Sequence, residues 1–313
     1  MKKIFFFISL ILLLVSSFLI IFLLQKKSST PTNSGKIVII TTLFPLYDMA
    51  KNIGQDKVSV SLLLPPGVEA HAFEPKPSDL VKINQADLFV YTGKFMEPWA
   101  DGIIAGTTDK KLVVVNASLG ITLSPSIFVD ADEPAGAMDP HIWLDFDNAK
   151  TMTQTIALAM SEKDPSNANY YQQNAAIYLG QLSAMDERYK TTLSQCSSTE
   201  IVYGGHYAFG YLAQRYHLRY LAAQGLSPDA EPTAKDLVNL IAQIQNQQIS
   251  SIFYEELASP KIAETIVAAT HTQMLPLNAA HNLTKADFEN QVSFLSIMEQ
   301  NLTNLSLGLN CKK

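Results

Sequence analysis

Six histidines, at positions 71, 141, 206, 217, 271 and 281, are the residues of this 313-residue chain best suited to chemistry. Four share a setting. His71 lies in GVEAHAFEPKPSD, His141 in DPHIWLD, His206 in YGGHYAFGYL and His281 in LPLNAAHNLT. All four fall in loops past the expected carboxyl ends of strands, or at that edge, where open α/β sheets bind their ligands. Neutral imidazole suits zinc, and four such nitrogens complete a tetrahedron at about 2.0–2.1 Å from the ion. A closed set of four protein ligands leaves no open position for water, which points to binding over catalysis. Spacings of 65 to 75 residues exclude a local zinc finger, so the fold itself must gather the ligands. His217 (RYHLRY) and His271 (AATHTQM) follow helical stretches and read as left-handed helix ends, a conformation histidine tolerates well.

Other chemistries find less support. Cys196 and Cys311 belong to no CxxC motif; in an oxidising compartment they form one long bridge or stay as two buried thiols. A zinc-dependent hydrolase, the alternative of another class, needs an open coordination position and a general base. There is no HExxH, GGHYAFG has no serine at an elbow position, and only Glu69 and Glu74 are acids close to His71. A metal-binding surface adhesin without a transport role would share the same residues. Possible partners that orient the histidines are Glu74, Asp139 and Asp145, while Trp143, Tyr207 and Phe209 read as packing neighbours.

The elements that position these loops alternate in type. Lys36–Thr41, Val58–Leu64, Leu88–Thr92 and Leu112–Asn116 read as strands, interleaved with helices at Pro45–Ile53, Ser78–Asn84 and Pro98–Ile104. The pattern returns with strands at Glu200–Tyr203, Arg219–Ala223, Ser251–Glu255 and Met274–Leu277. Helices fall at Ala208–Tyr216, Thr233–Gln247 and Pro260–Ala269, and a last one at Phe288–Leu307. Strand, helix and strand at this spacing mark parallel βαβ units. Between the halves, Asn148–Ser161 and Ser166–Leu193 are helical, the second with Ala175, Leu179, Leu182, Met185 and Tyr189 in period. It reaches roughly 40 Å, with Gly180 as its weak point.

Composition sets the compartment and the partner class. Residues 1–35 hold four lysines and no acid, so the remainder carries 19 bases against 29 acids, a net −10. That acidity excludes nucleic acid as the natural partner and suits a cationic ligand. Lys2 and Lys3 precede 21 residues, Ile4 to Leu24, interrupted only by serines, and a polar exit follows. This is an export signal, either a cleaved peptide or a signal anchor long enough to cross a bilayer. The body is expected outside the cytoplasmic membrane, in a periplasm or at the outer face.

HAFEPKPSD at 71–79, DPHIWLD at 139–145, HYAFGYLAQRY at 206–216, EPTAKDL at 231–237 and FYEELASPKIAE at 253–264 carry a resemblance. Over about residues 36–310 the chain resembles the zinc- and manganese-binding solute-binding proteins of bacterial ABC importers. The resemblance implies an α/β fold of two lobes, each with a four-stranded parallel sheet flanked by helices. One long bridging helix joins them, and the metal lies in the cleft. The corresponding division is a signal and linker at 1–35, lobes at 36–165 and 196–313, and the bridge at 166–195. It also implies a monomer, not an enzyme, that hands one divalent metal to a membrane permease. Carried over by motif, His71, His141 and His206 match three ligand positions. Histidine at the third favours Zn2+ over Mn2+. The fourth family ligand is usually Asp or Glu, yet here that loop has no acid before Asp287 and His281 falls at or beside the place; Asn278, Glu69 or a water are the other candidates. The histidine-rich loop of many relatives is replaced by a short acidic stretch with Asp130, Asp132, Glu133 and Asp139, read as solvated. Zinc loss below roughly pH 6 is expected, near the reference imidazole pKa.

Overall fold

In the first strand, β1 (Ile37–Thr41), successive side chains serve opposite faces: Ile39 enters a core beneath the sheet and Ile40 a second core above it. That two-sided burial is what a parallel sheet covered by helices requires. The computed structural model describes residues 35–109, 111–126, 136–226, 232–255, 257 and 259–312. The apolar run expected as an export signal, the acids at 130, 132 and 133, and Pro228 lie outside the described residues.

Strands β2 (Val58–Leu62), β3 (Leu88–Tyr91) and β4 (Val113–Asn116) complete a parallel sheet in the order β2-β1-β3-β4. The second sheet repeats it as β6-β5-β7-β8, from β5 (Glu200–Tyr203), β6 (Arg219–Ala222), β7 (Ser251–Tyr254) and β8 (Gln273–Pro276). Helix α1 (Phe44–Gly54) has Pro45 in its first turn, where a missing amide costs nothing. It buries Leu46, Met49, Ala50 and Ile53 at helical spacing, each contributing roughly 1.5–3 kcal/mol for a full-sized side chain. It ends where Gln55 turns to φ 43°, and its last residue is Gly54 because a Cβ there would fall 2.3 Å from Val58. Helices α2 (Pro77–Gln85) and α3 (Ala100–Gly106) cover the outer face of the first sheet through Ile83 and Ile103.

Two long helices follow. Asp145 caps α4 (Phe146–Lys163), accepting from the amides of Asp147 and Asn148. The bridge is α5 (Ala168–Leu193), 26 residues and so about 39 Å long. Its stripe of Tyr171, Ala175, Tyr178, Leu182, Met185, Tyr189 and Leu193 is buried throughout. Tyr178 donates to Asp48 in α1 (2.9 Å), whereas Tyr189 donates to the carbonyl of Met298 beside the second sheet (2.6 Å). The same helix therefore anchors in both halves. It runs unbroken through Gly180.

In the second half, α6 (Gly210–Arg215) is shorter than the Ala208–Tyr216 expected; Phe209 stands outside it as the N-cap and the Ala208 amide donates to Tyr220. Helices α7 (Ala234–Asn246) and α8 (Lys261–Thr270) cover the outer face with Leu240, Ile244, Ala263 and Ile266. The helix expected over 288–307 is two: α9 (Lys285–Glu289) and α10 (Phe294–Gly308). Gln291 turns left-handed between them (φ 56°), and Ser293 then caps α10 through the Ser296 amide. Likewise α3 starts at Ala100 rather than Pro98, since residues 93–97 form turns on the Gly93 carbonyl. Cys196 and Cys311 are joined in a disulfide, so of the two readings open in the sequence the bridge is the one formed. His217 and His271 both have φ 56°, at the ends of α6 and α8. Among the described residues, no helix is long and apolar enough to cross a membrane.

Candidate metal centre

Each histidine of the cluster sits on a different support. His71 follows β2 in a loop folded by the turn from Pro65 to Val68, with Gly67 at φ 85°, and by Glu69, whose carboxylate accepts the Ala72 amide (2.8 Å). His141 precedes the single 3-10 turn Ile142–Leu144 that leads into α4. His206 follows β5 after Gly204 and Gly205. A Cβ on Gly205 would lie 2.9 Å from Glu255, so glycine here is what lets strand and carboxylate approach. His281 follows β8 after Ala280, a left-handed residue at φ 59°.

The loops bring the four rings together. The Nε2 atoms of His71 and His141 are 3.2 Å apart, and so are those of His141 and His206. A tetrahedral ion with nitrogens at about 2.0–2.1 Å has ligand separations of about 3.3 Å. The His281 ring lies 5.7 Å from that of His206 and 6.3 Å from that of His71, centroid to centroid. It is 1% exposed, and neither of its nitrogens has a hydrogen-bond partner. Such a buried orphan costs about 1–3 kcal/mol unless something satisfies it.

Carboxylates fix two of the rings. Asp139 accepts from His141 Nδ1 (2.8 Å) and from the His141 backbone amide (3.0 Å), and Glu255 accepts from His206 Nδ1 (2.7 Å). With Nδ1 carrying the proton, each Nε2 presents a lone pair, and two lone pairs facing at 3.2 Å repel unless a cation lies between them. Burial, then the neighbouring imidazoles, hold His71 and His141 well below the ordinary imidazole value; burial lowers His281 to about 4. All three are thereby kept neutral and ligating near pH 7. Burial raises Asp139 to about 7. Burial would also raise Glu255, but its electrostatic interaction with the His206 and His281 rings and the hydrogen bond from His206 outweigh burial and hold the carboxyl low.

The remaining candidates have other duties. Asn278 is engaged locally, its Oδ1 accepting the Ala280 amide (2.6 Å) and its backbone paired with Asn301. Glu74 is exposed, and Asp145 caps α4 and meets Arg215, so of the three acids weighed as orienting partners only Asp139 reaches a ring. Trp143 and Phe209 are fully buried packing residues, and Tyr207 packs against Tyr220 with the rings tilted by 43°. Glu255 was missed by sequence reasoning. Its signal was its place one residue past β7, at the same sheet edge as the histidines.

Two parallel-sheet lobes, a helix anchored in both and a buried imidazole cluster at the loops between them define a two-lobed metal-binding protein of the solute-binding class. The chain belongs to the family described as zinc-uptake complex component A, periplasmic, which matches residues 39–308. It is 35% identical over 281 residues to the high-affinity zinc uptake system protein ZnuA of Bacillus subtilis, covering 88% of each chain. To the zinc-binding lipoprotein AdcA of Streptococcus pneumoniae it is 34% identical over 275 residues; these are 86% of this chain but 55% of that protein. The crystal structure of the Zn(II)-bound ZnuA-like domain of Streptococcus pneumoniae AdcA superposes with a TM-score of 0.76 at 33% identity, covering 88% of this chain and all of that one.

Proposed function

We propose that the protein captures one Zn2+ outside the cytoplasmic membrane and delivers it to an ABC-type permease. His71, His141, His206 and His281 are its ligands. The observation that carries this reading is the pair of 3.2 Å Nε2 separations, centred on His141, with Asp139 and Glu255 turning the lone pairs inward. All-nitrogen ligation favours Zn2+ over Mn2+, which prefers carboxylates. The ion is cargo rather than a catalyst. Asp139 and Glu255 each orient an imidazole, the support a metal-binding histidine needs, which favours binding over hydrolysis. Lobes at 36–165 and 196–313 close over the ion on the bridge at 166–195, and the apolar start exports the chain and tethers it near the permease.

Titration of metal-stripped protein with Zn2+ at pH 7.5 tests the reading. It predicts one tight site per chain; absence of a one-to-one transition would sink it.

A further inference from the structure

Two of the four histidines have no hydrogen-bonded carboxylate to orient them; His281 Nε2 comes only within 4.0 Å of Glu255 Oε1, the oxygen that His206 does not use. No hydrogen bond is described at His71 Nδ1, and both nitrogens of His281 lack a partner, in contrast to the fixed rings of His141 and His206. Their placement must come from the backbone that carries them. The loop after β2 and the loop after β8 are far apart in sequence, yet one side chain reaches from the second to the first. Asn282 is completely buried, and its Nδ2 donates to the carbonyls of Pro65 (2.8 Å) and Val68 (2.7 Å). Its Oδ1 accepts the Leu283 amide (2.8 Å), so every function of the amide is used. Around it, the Gly67 amide donates to the Leu283 carbonyl (2.7 Å), the Phe44 amide to that of His281 (3.2 Å), and Trp143 Nε1 to that of Ala279 (2.8 Å). Behind the loop, Asn301 clamps Asn278 at both backbone atoms, and the left-handed Ala280 turns the chain away from that clamp.

We propose that Asn282 is a positioning residue for zinc capture: it staples the His71 loop to the His281 loop, so the two ligands without hydrogen-bonded carboxylates are held as one unit before the metal arrives. This rests on the zinc-binding reading above. The two donor bonds replace, through the main chain, the orientation that Asp139 and Glu255 give directly to the other rings. Pre-assembly of this kind slows metal release more than it alters encounter, because a ligand pair that cannot part singly must be lost together.

The test begins with the unaltered protein. In its metal-free form the Gly67 amide should be protected from hydrogen exchange; exchange at the rate of an open loop would overturn the proposal without any variant. Asn282→Ala removes the staple. Asn282→Asp keeps the size and the Leu283 contact but turns an acceptor toward Pro65 and Val68, and is the second variant should the first not fold. Removing a group that orients ligands typically costs about 10–100-fold in metal affinity, so zinc release to a chelator should accelerate by that factor in both. The Asp variant is the stricter case, since its added charge would by itself hold the cation more tightly. The ligand-field bands of the Co2+-loaded variants should change with it, which a purely structural role would not produce. Unchanged release and unchanged Co2+ bands in a folded variant would overturn the staple. The parent's one-to-one zinc binding would then still stand, so failure of this inference is separable from failure of the function.

Discussion

At the scale of residues, the site is built from four imidazoles held in two ways. Glu255 supplies the clearest prediction. Replacing it by Gln keeps the shape but lets the amide donate toward His206 Nδ1, and zinc affinity should fall about 10–100-fold in a competition titration. His281→Ala should also weaken binding, and an unchanged affinity would leave the fourth place to another group. The pH behaviour follows from the lowered imidazoles. Between about pH 6.5 and 4 an unfolded chain takes up a proton at residue 281 that the folded chain refuses, so stability from this group is full above 6.5 and is lost on acidification. Asp139 and Glu97, both raised to about 7 chiefly by burial, act in the opposite sense, losing stability as pH rises toward 7. Comparing metal-free parent and His281→Ala by denaturant melts isolates the histidine: the variant should lose less stability between pH 7 and 4.5. Because protons compete less well with zinc for imidazoles of lowered pKa, zinc should be retained further into acid than the roughly pH 6 expected from reference values. All four rings were legible in the sequence, three of them in short distinctive motifs and His281 by its place in the loop after the last strand. Glu255 was not, since its partner His206 lies 49 residues away and only the pairing of β5 with β7 brings them together.

Among the elements, the eight strands and the bridge were readable because β-branched runs and helical periods are local signals. The break between α9 and α10 was not. Val292 and Leu295 continue the apolar period of α10, while the left-handed residue that interrupts it is Gln291, which carries no glycine signature. The only cue was Ser293, three residues before the Ser296 whose amide it caps. The bridge offers a direct check on stability. Gly180 is helical and exposed, and nothing lies within 4 Å of where its Cβ would be. Gly180→Ala should therefore stabilise the protein by about 0.5–1 kcal/mol, seen as a raised denaturant midpoint with zinc binding unaltered. The disulfide just past the end of α5 is the other lever. It joins residues 115 apart, and chain-entropy reasoning assigns such a closure about 5 kcal/mol, with losses of about 2–5 kcal/mol typical on removal. The Cys196→Ser, Cys311→Ser double variant should melt correspondingly earlier, in the metal-free form above all.

For the whole molecule, a single apolar cluster runs from α1 through α4 and α5 to β5 and α10, so the halves share a core beneath the site. Polar ties reinforce it. Arg215 of α6 reaches Asp145 and Asp147 at the start of α4 and Asp186 in the bridge, while Tyr211 donates to the carbonyl of Asp139. These contacts set the distance between a ring from one sheet and a ring from the other, which no stretch of sequence could specify alone. The net −10 of the chain beyond residue 35 suits a cation carrier, and the proposed specificity rests on the imidazoles that the loops gather, His71, His141 and His206 in one group and His281 beside His206 and Glu255. X-ray absorption at the zinc edge on the one-to-one complex tests that claim most directly. Four nitrogen scatterers at about 2.0–2.1 Å, with the multiple scattering of imidazole rings, are predicted. A shell of three or fewer imidazoles, completed by oxygens, would contradict it.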